Sequence, residues 1–149
     1  MRSVRWVMLF MAYLVLLAGC GTRYATMRGA NGEDLMLLGH DPVAYFTVGK
    51  PTRGYPNIRE DHDGVTFYFA SEGNRELFRK EPEKYFPQYG AYCSSGAAFA
   101  VKLGHDPTEF IIRNGKIYFF GDVLGKEAWL LDPDWNIKYG DQTWPEAKD

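Results

Sequence analysis

The stretch GVTFYFASEGN, residues 64–74, decides the fold, because within it a strand pattern gives way to a helix start. Residues 65–70 are β-branched and aromatic, which is typical of a half-buried strand. Ser71 is a suitable N-cap for a helix that follows. Upstream, residues 58–60 are expected to pair with this strand in a hairpin whose turn is residues 61–64. The segment therefore predicts a hairpin and a helix that pack together.

Downstream of this stretch the pattern continues with short elements. Pro82 suits the first turn of a short helix that ends at Tyr85. The segment SSGAAFAVKL, residues 94–103, is small and apolar on most sides, which predicts a buried helix. Asn114-Gly115 is a two-residue turn signal between two apolar strands, so a second hairpin is expected there.

The chain ends with a predicted helix and a tail that folds back on the domain. Residues 121–132 have helical spacing, with Val123, Leu124, Ala128 and Leu131 near one face. We expect a small α+β fold, in which two β-hairpins pack against three to four short helices. The residues predicted to form the core are Phe67, Phe69, Leu77, Phe78, Tyr85, Phe99, Val101, Ile112, Ile117 and Phe119.

The N-terminus has the pattern of a secretory signal. Two arginines precede an apolar run, Val7–Ala18, that is 12 residues long. This run is shorter than the roughly 20 residues that a membrane span needs. It ends in LAGC, residues 17–20, which resembles the lipobox of bacterial lipoproteins, where the cysteine is lipidated and becomes the first mature residue. We therefore predict a signal peptide at 1–19, lipidated Cys20 with a polar tether at 20–34, and a domain at 35–149.

Composition and charge limit the classes of partner and the cellular locations that can be expected. The 149-residue chain has 17 basic and 19 acidic residues, a net charge of −2, and no basic run. This argues against nucleic-acid binding and indicates that the N-terminal lipid, rather than charge, holds the protein at a membrane. We expect a bacterial cell-envelope protein. Gly21, where an Asp would mark inner-membrane retention, favours the periplasmic face of the outer membrane in a cell with two membranes.

The pentapeptide LGHDP occurs twice, at residues 38–42 and 103–107, and contains two of the three histidines. One interpretation is a ligand pair, His40 and His105. The other is the same turn used twice, in which Asp caps a helical turn and Pro occupies its first position. The turn needs no histidine, so the sequence favours it. The third histidine, His62, lies in a predicted hairpin turn and is expected to be solvated.

Several motifs, in order, resemble the YHS domain family, in its secreted branch. GHDPVAYF resembles the motif that opens the domain, and GVTFYFASEGN resembles its strand-and-helix segment. The matching segments, which cover most of residues 38–131, are 39–46, 64–74, 78, 82–85 and 88–93. The resemblance implies a small treble-clef-like module linked to heavy-metal trafficking. Thiolates of cysteine-rich members correspond here to Ala44, Ala70 and Asn74, so that family metal site does not carry over.

Cys93 is the remaining candidate for chemistry, because Cys20 is assigned to lipid and no other cysteine exists. A helix is predicted to start just after Cys93. The partial positive charge of a helix N-terminus would lower the pKa of the thiol and favour the thiolate. We expect a non-catalytic module in which Cys93, with His40 and His105, binds copper, zinc or a small ligand. One alternative is a thiol redox protein that needs an external resolving thiol, since C-x-x-C is missing. The other is a passive envelope protein that binds a protein partner.

Overall fold

The computed structural model describes residues 22–147 and has a mixed α+β architecture. The predicted signal peptide and Cys20 lie outside the described residues. The strands are β1 (Thr26–Arg28), β2 (Asp34–Met36), β3 (Tyr55–His62), β4 (Val65–Phe69), β5 (Asp106–Arg113) and β6 (Lys116–Phe120). The first four form one sheet in the order β1-β2-β4-β3, in which only the β2–β4 pair is parallel. Strands β5 and β6 form a separate antiparallel hairpin.

Both predicted hairpins are confirmed, and each turns through two residues. Asp63 and Gly64 have φ angles of 49° and 79°, and Asn114 and Gly115 have φ angles of 52° and 72°. Two consecutive left-handed residues match the twist of the flanking strands, and Asp-Gly and Asn-Gly tolerate them best. The first turn is shorter than predicted, because β3 extends to His62. His62, which was expected to be solvated, is partly so: its side chain is 29% exposed, and its ring also packs 5.7 Å from Phe78.

The helices are short except for the last one. They are α1 (Ala44–Thr47), α2 (Glu72–Lys80), α3 (Pro82–Tyr85), α4 (Ser94–Ala97), α5 (Val123–Leu130) and α6 (Pro133–Ala147), with 3-10 turns at Leu37–Gly39 and Gln88–Ala91. Ser71 is the N-cap of α2, as predicted, and its hydroxyl accepts the Asn74 N–H at 3.1 Å. No helix within residues 22–147 combines the length and the apolar character needed to cross a bilayer.

Strand β6 separates two buried clusters. Ile117 and Phe119 point into the first cluster, and Tyr118 and Phe120 into the second, as the two-residue period of a strand requires. The first cluster lies against the four-stranded sheet and α2. The second is closed by α5 and α6, which contribute Trp129 and Trp144, joined by Tyr89, Tyr92, Cys93 and Ala97.

Six of the ten predicted core residues are buried, and four are exposed. Phe67, Phe69, Phe78, Tyr85, Ile117 and Phe119 are confirmed, whereas Leu77, Phe99, Val101 and Ile112 are wrong. The largest error follows from α4, which ends after one turn instead of continuing to residue 103. Ala100 is left-handed, with a φ of 57°, and the Val101 N–H returns to the Gly96 carbonyl at 3.1 Å. The chain therefore turns outward there.

Two further predictions are corrected in the terminal segments. The apolar face expected from Val123, Leu124 and Leu131 is exposed, because α5 inserts Trp129 into the core instead. The polar tether predicted to extend to residue 34 is too long. Thr26–Arg28 pairs with Asp34–Met36 as the edge of the sheet.

Candidate functional site

The two LGHDP copies adopt different structures. In the first copy the buried Asp41 carboxylate accepts the N–H groups of Val43 and Ala44 at 2.8 and 3.2 Å, and α1 follows. In the second copy Asp106 begins strand β5 and accepts the N–H and hydroxyl of Thr108. The prediction of one turn used twice is therefore wrong for the second copy. The cause is local, because VAYF continues as a helix whereas TEFI pairs with β6.

The fold nevertheless brings the two copies close together. The Tyr45 hydroxyl, just after the first copy, donates to the Pro107 carbonyl of the second at 3.0 Å. Burial is the main reason why the pKa of His105 is lowered to about 4; the charge of Asp106 opposes this shift, and the charge of His40 adds to it. Burial also lowers the pKa of His40, whose Nδ1 lies 2.9 Å from the Leu37 carbonyl oxygen. Both shifts favour the neutral form of the imidazole.

His105 lines a cleft and has an unused polar atom. Its ring packs against Phe119, with centroids 5.3 Å apart, and its Nε2 is buried without a hydrogen-bond partner among the described residues. The cleft has a volume of about 240 Å³. Its walls are Thr22, Ala25, Thr26, Leu38, Tyr92, Gly104 and His105. A neutral imidazole at such a position can bind either a hydrogen-bond donor or a metal ion.

Cys93 is enclosed rather than accessible. The residue is 3% exposed, and its N–H donates to the Leu103 carbonyl at 2.9 Å. The sulfur lies 3.0 Å from the Ser95 hydroxyl oxygen, and a Cβ added at Gly125 would lie 3.8 Å from it. The predicted helix behind Cys93 is only four residues long. The thiol is thus a packed component of the second cluster.

The three residues predicted as metal ligands do not assemble into one site. Over residues 22–147, no group of three or more His, Cys, Asp or Glu side chains is arranged to hold a metal ion. The charges of His40 and His105 are close enough to interact, and the sulfur of Cys93 lies 3.0 Å from the Ser95 hydroxyl oxygen. The described residues thus form no site that combines the thiol with both imidazoles.

Asp41 has a second set of partners that sequence reasoning missed. Its Oδ2 accepts the Ala70 N–H at 2.8 Å and the Asn74 side-chain N–H at 2.7 Å. Together with the N–H groups of Val43 and Ala44, this satisfies a carboxylate that is fully buried. Ala44, Ala70 and Asn74, which are far apart in sequence, thus surround one carboxylate. One signal in the sequence could have indicated this contact: Asn74 stands where cysteine-rich members have a cysteine, and its side-chain amide can donate a hydrogen bond to a carboxylate such as that of Asp41.

A second, larger cleft also escaped sequence analysis, because part of its wall is the predicted tether. It has a volume of about 400 Å³ and is lined by Arg23, Tyr24, Asp63, Glu83, Phe86, Pro87, Gln88, Tyr89, Gly90 and Trp144. Arg23 lies 3.4 Å from Asp63, and Tyr24 donates to the same carboxylate. Burial, with the hydrogen bond to Asp63, raises the pKa of Tyr24 to about 12. Several polar groups of this cleft therefore already bind one another.

Comparison with known proteins gives no relative: no family model, no curated protein and no solved structure matches the chain.

Proposed function

We propose that this chain is a lipid-anchored cell-envelope protein whose domain is a non-catalytic binding module of the YHS type. The support for the anchor is the order of signals at the N-terminus: a positive start, a short apolar run and the LAGC sequence. The support for the YHS assignment is geometric. Positions that would carry thiolates in cysteine-rich members, Ala44, Ala70 and Asn74, all contact Asp41.

The observation that carries the binding role is His105, which lines a cleft and whose buried Nε2 has no hydrogen-bond partner within residues 22–147. Leaving a buried polar atom without a partner costs about 1–3 kcal/mol, so a ligand that binds this nitrogen would recover that energy. With a pKa of about 4, the His105 imidazole is neutral at pH 7 and keeps its lone pair or its N–H for the ligand. The proposed ligand is a small polar molecule held by His105, with His40 nearby.

Copper or zinc is the second candidate, and its support is that His40 and His105 are close enough for their charges to interact. Such an ion would need further donors from water or from a partner, because no group of three or more His, Cys, Asp or Glu side chains within residues 22–147 is arranged to hold it. The thiol redox alternative has weaker support, since an external thiol would have to reach a sulfur that is almost fully buried.

The test uses the full-length protein purified from membranes and compares the wild type with His105→Gln and with the control variant His62→Gln. Native mass spectrometry measures bound mass, and elemental analysis measures copper and zinc. We expect the wild type and the His62 variant to carry a ligand that the His105 variant lacks. The proposal is contradicted if the wild-type protein carries no bound ligand, or if the wild type and the His105 variant carry the same bound mass. Metal that disappears in Cys93→Ser would instead restore a site centred on the thiol.

A further inference from the structure

An exposed apolar surface lies beside α4 and α6, and its aromatic members contact one another. We define the aromatic patch as Phe99, Val101, Leu103, Trp135 and Tyr139, all of which are exposed. The Phe99 and Trp135 rings have centroids 5.9 Å apart, and those of Trp135 and Tyr139 are 4.5 Å apart. Gly96, at the centre of α4, lies next to both Val101 and Leu103. Contiguous exposed apolar residues of this kind mark interaction surfaces.

The composition of the aromatic patch matches the boundary between a bilayer and water. Tryptophan and tyrosine concentrate there, because one part of each ring is apolar and the other is polar. Two lysines border the patch. The Lys102 ammonium lies 5.9 Å from the Tyr92 ring centroid, and the Lys138 ammonium lies 5.6 Å from the Tyr139 ring centroid. Lysines next to an inserted apolar surface can bind anionic headgroups.

The start of the described chain lies close to Lys102, which borders the aromatic patch. The Thr22 hydroxyl oxygen lies 2.8 Å from the Tyr92 hydroxyl oxygen, and the Tyr92 ring is the one that Lys102 covers. Cys20 is two residues before Thr22, and two residues of chain reach at most ~7 Å. A lipid on Cys20 would therefore bring a membrane within reach of the Lys102 loop.

We propose that the aromatic patch is a second membrane contact, in which Phe99, Val101 and Leu103 enter the interfacial region of the bilayer that holds the lipid anchor. This inference rests on the proposed lipidation of Cys20. Anchor and patch together hold the domain in one orientation, since a single flexible attachment would leave it free to rotate. Trp135 and Tyr139 lie at headgroup depth, and Lys102 and Lys138 face anionic headgroups.

The experiment reconstitutes the full-length protein, made with its own leader and purified in detergent, into vesicles of phosphatidylcholine and phosphatidylglycerol with brominated acyl chains. Bromine quenches tryptophan that reaches the lipid. We expect quenched emission in the wild type and loss of the quenched component in Trp135→Phe, because the predicted removal of the leader removes Trp6 and because Trp129 and Trp144 are buried. Phe99→Asp should lose most of this quenching, whereas the control Tyr55→Asp, at an exposed tyrosine in β3, should retain it.

The possible failures are distinguishable. The mass of the N-terminal peptide reports lipid on Cys20. If Cys20 carries no lipid, the proposed anchor is wrong and the patch proposal falls with it. If the protein is lipidated and floats with the vesicles but shows no quenching that depends on Trp135, only the patch proposal is overturned. Concentration-dependent crosslinking through Phe99→Cys without quenching would assign the patch to a second copy of the chain and equally overturn it.

Discussion

At the scale of single residues, Cys93 shows how burial changes the chemistry that a residue type suggests. A lone thiol outside the cytoplasm is exposed to oxidants, and its reactivity depends on access. Here the side chain packs between Ser95 and the glycines at 121 and 125, inside the second cluster. Burial thus protects the only thiol of the predicted mature protein, and the residue behaves as a small apolar side chain.

Cys93 should accordingly resist alkylation in the folded protein. We expect iodoacetamide at neutral pH to modify it at least about a hundredfold more slowly in buffer than in urea, because the reagent must wait for local opening. Mass spectrometry of the modified peptide measures both rates. Leu131→Cys, at a position that is 88% exposed, is the matched control and should react at once in buffer. Rapid alkylation of Cys93 in buffer would contradict this prediction and show that the thiol is accessible and reactive in the folded protein.

At the scale of elements, the contact between α6 and the second cluster depends on the absence of a side chain at Gly140. A Cβ at this position would lie 2.6 Å from the Tyr89 hydroxyl oxygen. That hydroxyl also donates to Asp141 at 3.1 Å, so it cannot move without losing a hydrogen bond. The approach of α6 to the 3-10 turn Gln88–Ala91 is thus set by this one contact.

Gly140→Ala should therefore destabilise the protein even though alanine is the better helix former. We expect the free energy of unfolding to fall by about 1–3 kcal/mol, which is the usual cost of overpacking. Gly73→Ala in α2 is the control, because its Cβ would meet only the Ser71 hydroxyl oxygen at 3.8 Å. Its effect should stay within about 1 kcal/mol. Urea unfolding of both variants measures the difference, and equal effects would show that α6 does not pack closely on Tyr89.

Elements set by adjacent residues were predictable from the sequence, and elements set by distant contacts were not. The two hairpins and the start of α2 follow from Asp-Gly, Asn-Gly and a serine cap, which act within a few residues. The early end of α4 was not predictable, because the apolar composition of residues 94–103 is typical of a longer buried helix. The outward face of α5 also escaped prediction, since one buried Trp129 outweighs three smaller apolar residues that face solvent.

In the candidate site, too, the features that depend on adjacent residues were predictable, and those that depend on distant contacts were not. Sequence reasoning selected His40 and His105 from a repeated pentapeptide, and the fold brings them near each other. It could not show that the copies differ in backbone structure, because that difference depends on the pairing of β5 with β6. It also could not show that Cys93 is buried. Asp41 was recognised as a cap, whereas its bonds to Ala70 and Asn74 arise only when β4 and α2 pack beside it.

At the scale of the whole molecule, the buried His105 couples stability to pH. Its pKa is about 4 in the folded protein against an ordinary value near 6.5, so the unfolded chain binds a proton first as the pH falls. The stability contributed by the neutral imidazole is complete above about pH 6.5. It decreases between about pH 6.5 and 4, by about 3 kcal/mol at most, and then levels off.

Urea unfolding at pH 7 and at pH 4.5 tests this coupling. We expect His105→Leu to show a smaller loss of stability between the two values than the wild type, because it removes a group that must be buried neutral. His62→Leu, at the histidine beside Phe78, is the matched control for the loss of a ring. If the wild type and His105→Leu lose the same stability on acidification, other groups account for the pH dependence.

The position of α6 at the end of the chain has a consequence for export. Trp144 closes the second cluster by packing on Tyr89 and Tyr92, so that half of the molecule cannot finish folding until the last residues are available. A polypeptide that crosses a translocation channel must stay unfolded until its C-terminus has been synthesised or threaded. Because Trp144 follows the other buried members of the second cluster in the chain, this cluster is completed last, which would delay compaction of the exported protein that we propose.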